Sequence, residues 1–432
     1  MIVTGRLAEL LKVAALAGMI LGLIAGIGNG TASAQVPIQF WVFQQPPGMA
    51  EWLKEWERAF NAQNPGIVLE IRMGPDDNLA REQLVVAVAG GVAPDIHFES
   101  SNQMMNWVTR GWARPLDDFI ERMPDRDDIS PDILDAVRWG GKTYAVPYAM
   151  WPIYDLYNMN LLEAAGVEVP STWQEQIETV RRLTRVDGQG RVEVYGHVTP
   201  DRDAADWAYI KVNHALQQQG YIMVDPNAIS TSIERAPAIA AVRYRNELAE
   251  AGQRGAPRPG WPEFNAGQIV SWQGSGFSVQ NVVTAIQQGI RPAARRFVGP
   301  TPGTDTLMHN AGVIFMLSMT EHPEEAWRVI EAFVSPDTVR EFLVVGQRFQ
   351  AARRSLINDP VLRSRPFSED EISLLYSPIL PYGSTHPLYA HFVQRVGAPL
   401  QRAIFGEISA EEAVDEAERI LNVELAAWAA TR

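Results

Sequence analysis

Strand-like and helix-like segments alternate at the start of this chain, and this alternation constrains the fold most strongly. Residues 38–43, 67–71 and 95–98 are short apolar or β-branched runs typical of strands. Residues 51–60 and 79–89 between them have apolar side chains at helical spacing. Strands that alternate with helices favour right-handed βαβ units. The sequence therefore predicts an α/β protein with a mainly parallel sheet, whose ligands bind beyond the carboxyl ends of the strands.

The length and composition restrict the class of protein further. The chain has 432 residues, of which 46% are hydrophobic and 20% are charged, as in globular proteins. A chain of this size predicts two domains. The net charge of −14 argues against nucleic acid as a partner. Cysteine is absent, which excludes disulfides, thiolate catalysis and thiolate metal sites.

The first 34 residues read as a secretory signal peptide. Arg6 and Lys12 precede an apolar run at 13–27, and Ala32-Ser33-Ala34 is a small-residue cleavage site before Gln35. The run is about 15 residues long, whereas a membrane-spanning helix needs about 20. We therefore expect a cleaved, periplasmic protein that carries no lipid, because no cysteine stands at the cut.

Motifs for chemistry are incomplete in this sequence. The Gly-Lys-Thr at 141–143 lacks the first glycine of a phosphate-binding loop, because Ala136 stands there, so a hairpin turn is the better interpretation. Gly274-Ser275-Gly276 lacks the glycine spacing of a nucleophile elbow. The seven histidines form no helical zinc pair. We expect no cofactor and no metal, although a pair of glycosidase carboxylates could be hidden among the 51 acidic residues.

Several segments together resemble one family, the family 1 extracellular solute-binding proteins of ABC importers, in particular their maltodextrin-binding-like carbohydrate group. Each segment alone is a weak signal, and the similarity rests on their order and spacing along nearly the whole mature chain. The segments are residues 89–96, 111–120, 141–147, 156–162, 165–167, 170–173, 323–327 and 406–413.

This resemblance implies the periplasmic-binding-protein fold of the type II-like class, with two α/β lobes that close on a ligand by a hinge. Lobe one would contain residues 36–148 plus 301–346, and lobe two residues 149–300 plus 347–432. Segments 146–149 and 297–300 would serve as the hinge. The implied function is capture of a carbohydrate and its delivery to permease subunits in the inner membrane, by a monomer without catalytic activity.

The resemblance and the strand-end rule together predict which residues contact the ligand. Sugars expose C–H faces that pack on aromatic rings and hydroxyls that need polar partners. The stretch that usually ends Gly-Ser-Trp has Gly276 where the stacking tryptophan is expected, so Phe277 would take its place. The predicted contacts are Phe43, Gln44, Gln45, Glu99, Ser100, Asn102, Trp151, Trp207, Ser275, Phe277, His309, Asn310, Gln350 and Tyr382.

Three alternatives stay open from the sequence. If Arg295–Arg296 or Arg353–Arg354 entered the cleft, the ligand would be a sugar acid or a polyol phosphate. A secreted glycoside hydrolase would need two carboxylates about 5–10 Å apart across the cleft. A role with a chemoreceptor or a scaffold would use the same fold without an importer.

Overall fold

The structure is a computed structural model that describes residues 35–45, 47–198, 205–275, 279–346, 352–368, 370, 374, 379–381 and 386–431. The predicted leader at 1–34 lies outside the described residues, as do Phe277, Gln350 and Tyr382 of the predicted site. In the ranges given, no helix has both the length and the apolar character needed to cross a bilayer.

The strands form where the sequence has apolar runs, and the first three coincide with the predicted ones to within two residues. The strands are β1 (Val36–Val42), β2 (Ile67–Met73), β3 (Ile96–Ser100), β4 (Arg138–Trp139), β5 (Lys142–Thr143), β6 (Val146–Asn158), β7 (Arg185–Val186), β8 (Val192–His197), β9 (Ile269–Ser275), β10 (Pro292–Arg295), β11 (Leu307–Met316) and β12 (Ile379–Pro381).

One sheet contains most of these strands, in the order β2-β1-β3-β11-β6-β9-β8-β7, with β10 on β6 and β12 on β11. The pairs β1–β2, β1–β3, β8–β9 and β11–β12 are parallel. The long strands β6 and β11 lie antiparallel to each other and to β9 and β3, respectively. Parallel units therefore flank a central antiparallel pair, and the α/β prediction is confirmed.

Capping residues begin several helices. The Thr172 hydroxyl accepts a hydrogen bond from the Glu175 backbone N–H at 3.2 Å, and Glu175 accepts one from the Ser171 N–H at 2.8 Å. Ser409 and Glu412 form a reciprocal capping box at the start of the last helix. These bonds satisfy backbone donors that the helix itself leaves open.

Helices flank the sheet. Their bounds are α1 (Pro47–Gln63), α2 (Asp77–Ala89), α3 (Met104–Val108), α4 (Asp117–Ile120), α5 (Pro131–Asp135), α6 (Met159–Ala164), α7 (Trp173–Leu183), α8 (Ala205–Gln217), α9 (Arg235–Ala251), α10 (Trp261–Asn265), α11 (Val279–Gln287), α12 (Pro323–Phe333), α13 (Pro336–Val345), α14 (Pro360–Arg363), α15 (Tyr389–Arg395), α16 (Gly397–Ile404) and α17 (Ala410–Ala429).

Two large hydrophobic clusters lie at opposite ends of the sheet. The first surrounds Phe40, Phe98 and Phe333, and the Phe98 ring stacks on Tyr148 with 4.7 Å between the ring centroids. It also contains Leu356 and Leu362.

The second cluster contains residues of α7, α8, α9, α15, α16 and α17, and it includes Phe297 and Val298. Trp173 and Tyr244 stack there at 4.5 Å. Two separate cores fit a two-lobe molecule, while the lobe boundaries themselves stay a prediction.

Candidate functional site

A cavity of about 380 Å³ lies where β6, β9 and β11 pass between the two clusters. It is lined from one side by residues near the end of β3 and from the other by α8, α15 and the end of β9. Six of the predicted contacts line it together: Ser100, Asn102, Trp151, Trp207, Ser275 and Asn310. The size lies within the range of small-molecule pockets.

An amide pair forms the polar wall of this cavity. Asn310 Nδ2 donates to Asn102 Oδ1 at 3.3 Å, and Asn310 Oδ1 accepts a hydrogen bond from Ser101 Oγ at 2.8 Å. Burial raises the pKa of Tyr389, which lies on α15 and shares a side-chain hydrogen bond with Asn102. Asn102 therefore connects the β3 side of the cavity to the α15 side.

Glu99 is fully buried and supports the cavity from behind, without lining it. Its carboxylate accepts hydrogen bonds from Arg81 at 2.8 and 3.0 Å, from Trp107 Nε1 at 2.8 Å and from the Ser100 backbone N–H at 2.8 Å. Arg81 in turn lines the cavity. Glu99 thus positions the Arg81 guanidinium and offsets its charge.

The first-strand loop and His309 lie outside the set of cavity-lining residues. Phe43 is buried, with its ring 5.2 Å from the Arg81 guanidinium carbon, whereas Gln44 is exposed. Gln45 donates to the Phe43 carbonyl at 3.3 Å. His309 is buried in β11, opposite Pro152 of β6. Their contact with a ligand stays a prediction.

The two tryptophans of the cavity have different surroundings. Trp151 is buried in the first cluster, with its ring 6.4 Å from that of Tyr148, and one part of it reaches the cavity. Trp207 is half-buried at the start of α8. Trp207 therefore offers a more accessible aromatic face than Trp151 does.

The arginine pairs that could have entered the cleft have structural contacts elsewhere. Arg353 is fully buried and bridges Asp125 at 3.1 Å and the Val334 carbonyl at 2.9 Å. Arg295 lies 3.5 Å from Asp370, and Arg296 lies 3.1 Å from Asp305. Neither pair lines the cavity described above. Among the described residues, no group of three or more acidic or histidine side chains is placed to hold a metal ion.

Sequence reasoning missed several residues that line the cavity. Gln273 and Ser275 are two residues apart on β9 and therefore lie on the same face of the sheet. This spacing could have identified Gln273 once Ser275 was chosen. Trp207 and Ile210 are three residues apart on α8, which places them on one helix face. Gln103 and Asp206 directly neighbour the predicted Asn102 and Trp207, whereas no local signal marks Arg81. The missed residues are Arg81, Gln103, Ile153, Asp206, Ile210, Gln273, Tyr389 and Val393.

Residues 44–340 match the bacterial extracellular solute-binding protein family, so the chain belongs to that family. Members of this family are binding proteins, and the chain is accordingly a binding protein and not an enzyme. A binding protein of Brucella abortus is 24% identical over 342 residues, which are 76% of this chain and 78% of the relative.

Solved structures share the whole fold. The sugar-binding protein MalE from Xanthomonas citri superposes with a TM-score of 0.78 at 19% identity, over 91% of this chain and 98% of its own. A solute-binding protein from Agrobacterium radiobacter K84, in complex with ribitol, has a TM-score of 0.69 at 19% identity, over 90% of this chain and 99% of its own. The predicted two-lobe binding-protein fold is therefore confirmed.

Proposed function

We propose that this protein captures a carbohydrate or polyol in the cavity between its two halves and delivers it to an ABC importer of the bacterial inner membrane. The observation that carries this proposal is the cavity itself, because it combines the faces of Trp151 and Trp207 with the amides of Asn102, Asn310 and Gln273. The MalE and ribitol-bound relatives support the same class of solute.

The chemistry of the lining suits a polyhydroxylated solute. Asparagine and glutamine amides both donate and accept hydrogen bonds, as a sugar hydroxyl does. A desolvated hydroxyl that loses its partner is costly, so an amide wall selects for solutes with matching hydroxyls. The aromatic faces add dispersion and hydrophobic contact with C–H groups.

Replacing Trp207 with Ala should weaken binding of the best neutral sugar or polyol about five- to thirtyfold, because the aromatic face supplies about 1–2 kcal/mol. Isothermal titration calorimetry on the mature chain would measure the change after a thermal-shift screen of mono- and oligosaccharides and polyols. The matched control is Trp139→Ala, because Trp139 is also half-buried but lies on β4, outside the cavity-lining set.

The screen itself tests the broader proposal. A solute present at 100 times its dissociation constant should stabilise the fold by about 2.7 kcal/mol, which shows as a higher melting temperature. If no sugar, polyol or charged derivative of either raised the melting temperature, the proposal would be rejected. If Trp207→Ala and Trp139→Ala weakened binding equally, the cavity would not be the binding site.

We also propose export to the periplasm with cleavage between Ala34 and Gln35, without a lipid anchor. The first strand begins at Val36, directly after the proposed cut, and the 432 residues contain no cysteine to carry a lipid. Mass spectrometry of the protein from a periplasmic extract should find Gln35 as the first residue. A chain that retains residues 1–34 in the membrane fraction would contradict this.

A further inference from the structure

A second cavity, of about 230 Å³, lies in the half of the molecule built on the second cluster. It is enclosed by residues of α8, α9, α16, β8 and β9. Trp207 and Gln273 line both this cavity and the one described above, so these two side chains form a shared wall. A solute that extended from the first cavity into the second would therefore contact both Trp207 and Gln273.

Basic side chains line the second cavity. Lys211 of α8 and Arg245 of α9 are 8% and 9% exposed, and Arg258 lies on the same lining. Among the described residues that line this cavity, none is an aspartate or a glutamate. Buried charges are costly unless they are paired, so two nearly buried cations facing one cavity call for an explanation.

The contacts of these cations are mainly aromatic. Lys211 Nζ lies 3.8 Å from the centroid of the Phe297 ring and 5.8 Å from that of Trp207. The Arg245 guanidinium carbon lies 4.7 Å from the centroid of the Tyr244 ring, and Arg245 Nε is buried without a hydrogen-bond partner. Aromatic faces attract cations but accept few directional hydrogen bonds. N–H groups of Lys211 and Arg245 therefore remain available to a ligand.

The carboxylate that interacts with both cations is occupied elsewhere. Asp155 is buried outside the cavity lining and accepts a hydrogen bond from Gln176 Nε2 at 2.9 Å. Burial raises the pKa of Asp155 to about 6, although Lys211 and Arg245 act in the opposite direction. Burial and the neighbouring Arg245 also lower the pKa of Lys211 well below its ordinary value. Asp155 therefore compensates only part of the charge of this pair, and Lys211 lies in surroundings that disfavour its charged form until an anion binds beside it.

The remaining titratable side chain of the lining adds no negative charge. His197 Nδ1 lies 3.0 Å from Ser271 Oγ, and burial lowers the pKa of His197 to about 3, so the ring is neutral near pH 7. An arginine side chain stays charged in proteins. The cavity is therefore electropositive when it holds no solute.

We propose that this second cavity binds an anionic group, a carboxylate or a phosphate, carried by the solute that occupies the first cavity. The proposal rests on the function proposed above and narrows its ligand to a sugar acid or to a phosphorylated sugar or polyol. The anion supplies the charge-assisted hydrogen bonds that Lys211 and Arg245 lack inside the protein. Trp207 then contacts the part of the solute between the two cavities.

The test compares matched solutes by calorimetry on the wild-type mature chain: glucose with glucuronate and glucose 6-phosphate, and ribitol with ribitol 5-phosphate. The charged member of at least one series should bind at least tenfold more tightly than its neutral partner. Inorganic phosphate at millimolar concentration should raise the melting temperature. If inorganic phosphate binds but the protein shows no preference for charged over neutral solutes, the anionic group is not carried by the solute, and the proposal is overturned.

The variants Lys211→Met and Arg245→Met test the residues. Each should reduce the affinity for the charged solute at least tenfold and leave that for the neutral partner within about threefold. The matched control is Arg72→Met, because Arg72 also contacts an aromatic ring, that of Trp41 at 4.6 Å, but lines neither cavity. If a methionine variant fails to fold, Lys211→Gln is measured in its place. The comparison of charged with neutral solutes on the wild-type chain does not depend on any variant.

The outcomes separate this inference from the function on which it rests. If neutral solutes bind and their charged partners bind no better, the anionic subsite is wrong and carbohydrate capture stands. If Lys211→Met and Arg72→Met affect charged solutes equally, the subsite is also wrong. If neither inorganic phosphate nor any neutral or charged solute binds, both proposals fail.

Discussion

Replacing Glu99 with Ala should lower the free energy of unfolding by about 3–5 kcal/mol, because the change removes the buried carboxylate that pairs with the largely buried Arg81 guanidinium. The Arg81 side chain is only 17% exposed, and Trp107 Nε1 would lose its acceptor as well. Differential scanning calorimetry should show a melting temperature several degrees lower. Ligand affinity should also fall, since Arg81 lines the cavity.

The matched control is Glu324→Ala. Glu324 pairs with Arg122 at 3.2 Å, but both side chains are more than half exposed, so this pair contributes at most about 1 kcal/mol. Glu99→Gln keeps the volume and one acceptor, and it should lie between the two. If Glu99→Ala and Glu324→Ala had the same melting temperature, the Glu99–Arg81 pair would not stabilise this part of the protein.

Replacing Gly312 with Ala should both destabilise the protein and weaken ligand binding. A Cβ atom at this position would lie 2.6 Å from Trp151 Cζ2 and 2.6 Å from Tyr148 Cζ, and at least one ring must move. Overpacking of this kind costs about 1–3 kcal/mol. Because Trp151 lines the cavity, we expect at least a tenfold loss of affinity by calorimetry and a changed tryptophan emission spectrum.

Gly188→Ala provides the comparison, because a Cβ atom there has no neighbour within 4 Å. It should leave the melting temperature and the affinity close to those of the wild type. If Gly312→Ala bound the ligand as tightly as the wild type, the position of the Trp151 ring would not matter for binding. Trp151 would then be a core residue and not a ligand contact.

Elements with a clear helical period could be predicted from the sequence, while the full length of the crossing strand β6 could not. The helical spacing at 51–60 and 79–89 corresponds to the helices Pro47–Gln63 and Asp77–Ala89. Strand β6 is buried at all 13 positions, so its apolar run has no alternation to set it apart from a buried helix. Only pairing with β11 shows where it runs.

The predictability of the site follows the same division. Strand-end residues such as Ser100 and Asn102 line the cavity because the sheet edge places them there. The pair Glu99–Arg81 joins residues 18 positions apart on different elements, and no local spacing reports such a contact. Lys211 and Arg245 were also missed, since basic residues on a helix usually face solvent and only packing reveals that these are buried.

The antiparallel pair of β6 and β11 has a mechanical consequence. Both strands run through the centre of one sheet, with a register shift between Gly312 and Val313. A change in the angle between the two halves must therefore bend or twist the paired strands β6 and β11. The backbone hydrogen bonds between these strands resist that deformation. The two halves are therefore less free to reorient than domains joined by a flexible linker. Elastic energy in the bent strand pair would favour return to the original angle once the solute leaves.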